Sequence, residues 1–286
     1  MKPSPFEYLA ARDIDEALDA LAGHDGEAKV LAGGQSLVPA MNFRLATPSL
    51  LVDLNRIEGL SGIHAGGETL VIQSLVRHAD LEVPAGQDAT SRLLARVSRL
   101  VGHLPIRVRG TFAGSLAHAD PAAEWCMLAA ALDATIVARS ARGTRRIAAN
   151  AFFEGLYTTA LADDEIITEV HLPLLGSAGT GFREKSQTAG DFATVATIAT
   201  CRIEDDVVSD VRLAIAGAGA TPVRAKRAES LLVGQEATPD ALALVARTAA
   251  EDVDPSSDAH CSADYRRHLV EVLARRALDD ALGAAA

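Results

Sequence analysis

Two stretches of this sequence set glycines beside hydroxyl and amide side chains just ahead of helical spacing. That arrangement can present backbone N–H groups to an anion. The first, VLAGGQSLVPAMNFRLATP (Val30 to Pro48), stops a short apolar run on Gly33-Gly34 and continues with Gln35-Ser36. Neither glycine has a Cβ, so the chain there can approach a ligand closely. The amides of Gln35 and Ser36, at a helix start, can point at phosphate oxygens. The second, RVRGTFAGSLAHADPAAE (Arg107 to Glu124), repeats the logic with Gly110, Thr111, Gly114 and Ser115 ahead of a capped helix. Thr111 and Ser115 add neutral hydroxyl donors. Two such turns from distant parts of one chain suit a dinucleotide with two phosphates. The plainer reading of each is a turn that leads into a helix, and neither is the GxGxxG fingerprint of a Rossmann fold.

Charge narrows the ligand class. The formal net charge of −11 argues against nucleic acid as a partner. An anionic ligand must then be held by local backbone dipoles rather than by the overall field. With 286 residues, 49% hydrophobic and 23% charged, the chain reads as a soluble globular protein of one large or two ordinary domains. No apolar run has the length of a membrane span. The start, MKPSPFEYLAARD, turns acidic before a signal-type apolar stretch develops, so export is not expected. Cys126, Cys201 and Cys261 give neither a disulfide framework nor a CxxC pair, and a cytoplasmic location is expected.

The elements that must position these turns follow from periodicity. EALDALAGH (Glu16 to His24) has helical spacing, and AKVLAG reads as a short buried strand. Ser36 is expected to cap a helix that tolerates Pro39 in its first turn and ends at Pro48. LLVDLN (Leu50 to Asn55) is a second strand, so the unit is a βαβ with parallel strands. ETLVIQSLV begins a strand and HADLE a helix. DPAAEWCMLAAALDA (Asp120 to Ala134) is expected as a helix with Asp120 as N-cap. TIVARS, RRIAANAFF and EIITEVHLPL are strand candidates, the last ending at Pro173. LGSAGTG (Leu175 to Gly181) reads as a domain linker. Beyond it, FATVATIATCRI and VSDVRLAIAGAG suggest strands or strand–helix units. TPVRAKRAESLLVG suggests a helix stopped by Gly234, and CSADYRRHLVEVLARRALDDAL a closing helix.

Other chemistry-bearing residues are less organised. His118 and Asp120 form a possible dyad, against which stands the helix-cap reading of Asp120. No serine sits in a nucleophile elbow, and His64, His78, His103 and His171 lack metal-ligand spacing. Arg107 and Arg109, on IRVRG, fit either a phosphate or partner contact or a solvated strand face. Arg266-Arg267 and Arg275-Arg276 fit a helix surface.

Together, AGGQSLVPAMNFRLATPSLLVDL, RGTFAGSLAHADPAAE and FFEGLYTTALADDEIITEVHLP resemble the medium, FAD-binding subunit of molybdenum hydroxylases. That family includes aerobic carbon monoxide dehydrogenase and shares its flavin fold with xanthine dehydrogenase. ATPVRAKRAESLLVG and YRRHLVEVLARRAL extend the resemblance over nearly the whole chain. It implies an α+β fold: a vanillyl-alcohol-oxidase-type FAD-binding domain of two α/β subdomains (about 1–58 and 59–176), then a smaller C-terminal α+β domain (177–286). Lys29, Ala32, Gly33, Gly34, Gln35, Ser36 and Leu37 would serve the FAD diphosphate from the first turn. Gly110, Thr111, Gly114, Ser115 and Ala117 would do so from the second, with Asp120 and Glu124 close by. Leu161 and Ile167 match positions lining the nucleotide, Lys185 a lysine near the flavin, and Asp191-Phe192 positions near its ring. No catalytic residue and no metal ligand is implied on this chain.

The implied function is electron transfer. Noncovalent FAD would pass electrons from [2Fe-2S] clusters on a small iron–sulfur subunit to an external acceptor. Molybdopterin would sit on a large subunit, in a dimer of heterotrimers. This chain has no cysteine set for iron–sulfur ligation. The rival readings are a self-sufficient flavin oxidase or reductase of the same fold, and a nonenzymatic nucleotide module. Three departures touch the site. Ala113 stands where the family usually has glycine, Gln73-Ser74 where it often has Gly-Ala, and Ser186-Gln187-Thr188 where basic residues are common.

Overall fold

The computed structural model describes residues 2–285. The chain begins with β1 (Glu7–Ala10), α1 (Ile14–Ala22), β2 (Ala28–Leu31), α2 (Leu37–Asn42) and β3 (Leu50–Asp53). The three strands form one sheet with β3 in the middle, parallel to both neighbours. The central strand LLVD is buried at every position, as a parallel strand covered on both faces must be. Asp13 caps α1 by accepting from the Glu16 amide at 2.9 Å, and Ala17, Leu18 and Leu21 face the sheet. The predicted βαβ unit is present, but two of its details differ. Ser36 has helical backbone angles and makes no side-chain cap. Helix α2 stops at Asn42, well before Pro48, because Arg44 turns left-handed at φ 59°.

The middle of the chain runs through β4 (Ile63–Gly66), β5 (Thr69–Gln73), α3 (Ala89–Ser98), α4 (Leu104–Arg107), α5 (Phe112–His118) and α6 (Glu124–Ala131). It continues with β6 (Thr135–Ser140), β7 (Gly143–Ala148), β8 (Phe153–Gly155), β9 (Thr158–Thr159) and β10 (Ile166–Pro173). Five of these strands form an antiparallel sheet in the order β4-β5-β10-β6-β7. HADLE makes a single 3-10 turn, Ala79–Glu82. The IRVRG segment, for which a solvated strand face is one of two readings, is the end of the short helix α4 and the chain leaving it. The helix expected from Asp120 begins at Glu124, with Ala123 in the cap position. Asp120 instead closes a local turn, accepting from the Ala122 amide at 2.8 Å.

The remainder is β11 (Gly179–Ser186), β12 (Ala193–Glu204), β13 (Val207–Ala216), β14 (Val223–Arg224), α7 (Lys226–Ser230), α8 (Pro239–Glu251) and α9 (Ala263–Ala285). The four strands form an antiparallel sheet in chain order, and α9 lies across β11 and β12. A Cβ on Gly179 would fall 1.8 Å from the Ala281 carbonyl oxygen, and one on Gly181 1.9 Å from that of Ala277. Two of the three expected linker glycines therefore serve helix-on-sheet contact, and only residues 174–178 connect β10 to β11. Helix α6 is buried at every position and packs on β12, β13 and β14. An all-apolar helix of this kind needs cover on every side. One core accordingly runs from Leu70 and Trp125 through Leu175 to Phe182, Ile198 and Ala214.

Candidate functional site

The two glycine turns meet. A Cβ on Gly33 would lie 2.4 Å from the Arg109 carbonyl oxygen and 2.6 Å from the Gly110 Cα. The space that Gly33 leaves is thus filled by the second turn, not held open for a ligand as the sequence suggested. Gly34 has φ 72°, which favours glycine by conformation. The amides of Gly34, Gln35, Ser36 and Leu37 donate to no backbone carbonyl among the described residues, so four N–H groups stay free at the start of α2. The Gln35 side chain folds back, its Nε2 donating to the Gly33 carbonyl at 3.0 Å.

The second turn is built differently. Thr111 is the N-cap of α5, and its Oγ1 accepts from the Gly114 amide at 3.1 Å. A Cβ on Gly114 would sit 2.5 Å from that oxygen, so glycine makes room for the cap. Gly114 and Ser115 lie inside this helix rather than on a loop before it. Gly114, Ala117 and His118 share its accessible side, while Phe112, Ala113 and Leu116 are buried. The Ala113 methyl therefore points into the core and leaves the outer face of the turn unchanged.

His78 supports this turn from below. Its amide donates to the Gly110 carbonyl at 3.0 Å, and its Nδ1 accepts from Trp125 Nε1 at 2.9 Å. Burial first, then the charges of Arg77 and Arg107, push its pKa down to about 4, so the ring is neutral near pH 7. Its Nε2 edge fills the place of a Gly110 side chain, 2.6 Å from where a Cβ would be.

The other expected residues divide into those near the turns and those facing elsewhere. Lys29 reaches Asp163 at 3.4 Å, an exposed pair of small energetic weight. Leu161 is half-buried against the main core, and Ile167 is inside it. Asp120 Oδ2 accepts from the Tyr157 hydroxyl at 3.1 Å, and the Tyr157 ring lies 5.1 Å from that of His118. Glu124 is only 4% exposed. Burial, reinforced by the carboxylates of Glu184 and Asp120, raises its pKa to about 8. Strand alternation makes Glu184, not Lys185, the inward residue of β11. Lys185 is exposed and bonds the Ser186 carbonyl, whereas burial raises Glu184 to about 7. Asp191 and Phe192 are exposed beyond the β11–β12 turn. That turn touches the approach to α4 at Gly190, where a Cβ would be 2.7 Å from His103 Nδ1. The replaced Gln73 and Ser74 bond within the chain, to the Gly62 amide at 2.6 Å and the Thr168 carbonyl at 3.3 Å.

Sequence reasoning passed over Tyr8, Asp53, Asn55, Arg77 and His78 as supports of the turns. Their only sequence signal was position, at the ends of β1, β3 and β5. Asn55 Nδ2 donates to the Ala32 carbonyl at 2.9 Å, and Arg77 donates to the Arg109 carbonyl.

Two helix starts placed side by side, the first with four free amides, fit a diphosphate ester. No cluster of metal-ligating side chains occurs among the described residues.

Comparison with known proteins agrees with this geometry. Residues 4–175 match the family described as the FAD binding domain in molybdopterin dehydrogenase, and residues 180–281 the CO dehydrogenase flavoprotein C-terminal domain. The chain is 38% identical to the 6-hydroxypseudooxynicotine dehydrogenase complex subunit alpha of Paenarthrobacter nicotinovorans, over 99% of this chain and 96% of that one. It is 33% identical to the carbon monoxide dehydrogenase medium chain of Hydrogenophaga pseudoflava, over 98% of each. A solved carbon monoxide dehydrogenase from that organism, lacking the Mo-pyranopterin moiety of its cofactor, superposes with a TM-score of 0.96 at 33% identity, covering 100% of both chains. Quinoline 2-oxidoreductase from Pseudomonas putida 86 gives 0.94 at 34% identity, again over 100% of both. The chain belongs to the FAD-binding medium subunits of the molybdenum hydroxylases, and is an oxidoreductase subunit of α+β fold.

Proposed function

We propose that this chain holds FAD noncovalently and serves as the electron-transfer subunit of a molybdenum hydroxylase complex. The observation that carries the reading is the joining of the two glycine turns into one cradle with free amides. The Gly34 to Leu37 amides and the capped start of α5 bind the diphosphate. Leu161 and the backbone around Ile167 serve the adenosine end. Asp120, Glu124 and the Asp191-Phe192 turn serve the flavin end. When bound, FAD supplies a two-electron carrier between [2Fe-2S] clusters of a small subunit and an external acceptor. Oxidation of the organic substrate belongs to a large molybdopterin subunit, and the assembly is a dimer of heterotrimers in the cytoplasm. The cradle-bearing domain ends at residue 176.

Apolar side chains beside both turns support a partner surface. Phe43 is 66% and Leu45 83% exposed after the first turn, and Leu104 is 58% exposed before the second. Among the described residues, no helix is long and apolar enough to cross a membrane. Neither Gly33 to Leu37 nor Gly110 to Ser115 contains the histidine or cysteine that a covalent flavin link would need.

Affinity purification from the native host, with flavin, iron and molybdenum analysis, tests the assembly. Co-purifying iron–sulfur and molybdopterin chains are expected, with flavin released to the supernatant by acid. A lone flavoprotein that turns over a small substrate at full rate would overturn the reading in favour of a self-sufficient oxidase.

A further inference from the structure

Between the two turns runs a chain of hydrogen bonds whose side chains come from β1, from the end of β3 and from the segment after β5. Arg77, just after β5, donates through Nη1 to the carbonyl of Arg109 and through Nη2 to Asn55 Oδ1 at 2.5 Å. Asn55, just after β3, donates through Nδ2 to the Ala32 carbonyl at 2.9 Å. Its side chain and backbone amides also reach Asp53 Oδ1, at 2.5 and 2.8 Å. Asp53 Oδ2 accepts from the Tyr8 hydroxyl of β1 at 2.5 Å. One guanidinium therefore grips the carbonyl that abuts Gly33 in the second turn. Through a single amide it also grips the carbonyl preceding Gly33 in the first.

The acceptors are unusual for an arginine. Both are neutral, and the Arg77 guanidinium forms no ion pair among the described residues. It is partly buried, and burial together with the nearby Arg109 lowers its pKa against the opposing pull of Asp80 and Asp53. Asp53, the nearest acid in the chain of bonds, spends its oxygens on Tyr8 and Asn55. A cation with no carboxylate in ion-pair contact, only Asp80 and Asp53 at longer range, adds positive potential at the junction of the two turns, in a protein whose net charge is −11. Arginine suits both tasks because its planar fork can hold two acceptors at once while it stays charged.

We propose that Arg77, acting through Asn55, is the positioning residue that locks the two glycine turns into one cradle, and that its charge, engaged in no ion pair, strengthens the hold on a diphosphate there. This rests on the FAD reading above. Clamp and charge are separable. Arg77→Met removes both, Arg77→Lys keeps the charge but not the fork, and Asn55→Leu cuts the link to the first turn while leaving the charge.

The test is FAD titration of the full, deflavinated chain at low and high salt, followed by flavin fluorescence, with thermal melts of the apoprotein beside it. Arg77→Met is expected to weaken FAD binding about tenfold or more, the scale of one lost charge-assisted bond. It should also flatten the salt dependence of the affinity. Arg77→Lys should restore the salt dependence and part of the affinity. Asn55→Leu should weaken binding while keeping the salt dependence. Wild-type affinity in Arg77→Met, or a lysine variant no better than methionine in both affinity and salt response, overturns the proposal. If Arg77→Met does not fold, the other two variants decide: wild-type affinity in both overturns it, and the split just described supports it. Wild-type chain that takes up no FAD at all would sink the FAD reading itself, a result distinct from any pattern among the variants.

Discussion

The two glycine turns look alike in sequence and are built on different physics. The first, around Gly33 to Leu37, is an open run of backbone whose amides have no carbonyl partners, closed only by the fold-back of Gln35. The second is a capped helix start, set on a buried histidine that is itself fixed by Trp125. The first therefore offers donors, and the second offers rigidity. Their contact at Gly33 makes each depend on the other. The lesson is that a glycine in a binding motif can be required by the protein's own second loop rather than by the ligand.

The largest effect should come from breaking that contact. Gly33→Val places a branched side chain where the Arg109 carbonyl and Gly110 Cα already lie, and backbone cannot rotate aside as a side chain can. FAD binding should be lost altogether, with a lowered melting temperature even in the flavin-free chain. A variant that loses flavin but melts like wild type would restore the older view, in which Gly33 faces the ligand alone.

Beyond the second turn, the buried start of α6 supplies a pH-dependent term that the first turn lacks. Glu124 titrates near 4.5 in an unfolded chain and about 8 when folded, because burial disfavours its charge. The folded state thus binds the proton more tightly. Its stability is fully present below about 4.5 and falls as the pH rises to about 8. Glu184 acts in the same direction. Glu124→Gln should flatten this decline, a difference on the order of a few kcal/mol at the alkaline end. Denaturant unfolding of the flavin-free proteins across that range measures it, and parallel curves for the two would contradict the assignment.

Gly110→Ala probes the rigidity of the second turn. The added methyl meets the His78 ring, which cannot swing away without breaking its bond from Trp125. A cost of about 1–3 kcal/mol in stability is expected, the usual scale of overpacking. FAD should bind more weakly, through displacement of the turn. If stability is unchanged, the histidine support is looser than its geometry indicates.

Ser115→Ala should give the smallest change. Its hydroxyl is one neutral donor among several amides, worth about 0.5–1.5 kcal/mol of FAD affinity, more toward a charged acceptor. A loss as large as that of Gly33→Val would mean that hydroxyls, not backbone, make the cradle.

Several structural features were legible before any coordinates. The βαβ unit was readable because AKVL and LLVD are apolar runs of strand length divided by helical spacing. The long α9 and the end of β10 at Pro173 followed from periodicity and proline. Local signals misled where a tertiary partner decided. Asp120 looked like a cap for α6 but turned its oxygens to Ala122 and Tyr157. IRVRG alternates like a strand, yet it is the end of α4 and the chain leaving it, with Arg107 paired to Glu82 at 2.6 Å. Helix α8 went unread although Thr238 and Pro239 mark its start, because its alanine-rich face carries weak contrast.

The sequence by itself determined the two glycine turns, the parallel start of the fold and, through resemblance, the FAD family. Those features depend on backbone freedom and on short-range order, which residue type controls directly. Only the tertiary structure decided that Gly33 is filled by Gly110, that Gly179 and Gly181 seat α9, and that Glu184 rather than Lys185 faces inward. It also brought Arg77 and Asn55 together across the cradle. Those contacts join residues far apart in the chain, 22 positions for Arg77 and Asn55, and no periodicity records them, because they exist only once the sheets and helices have packed.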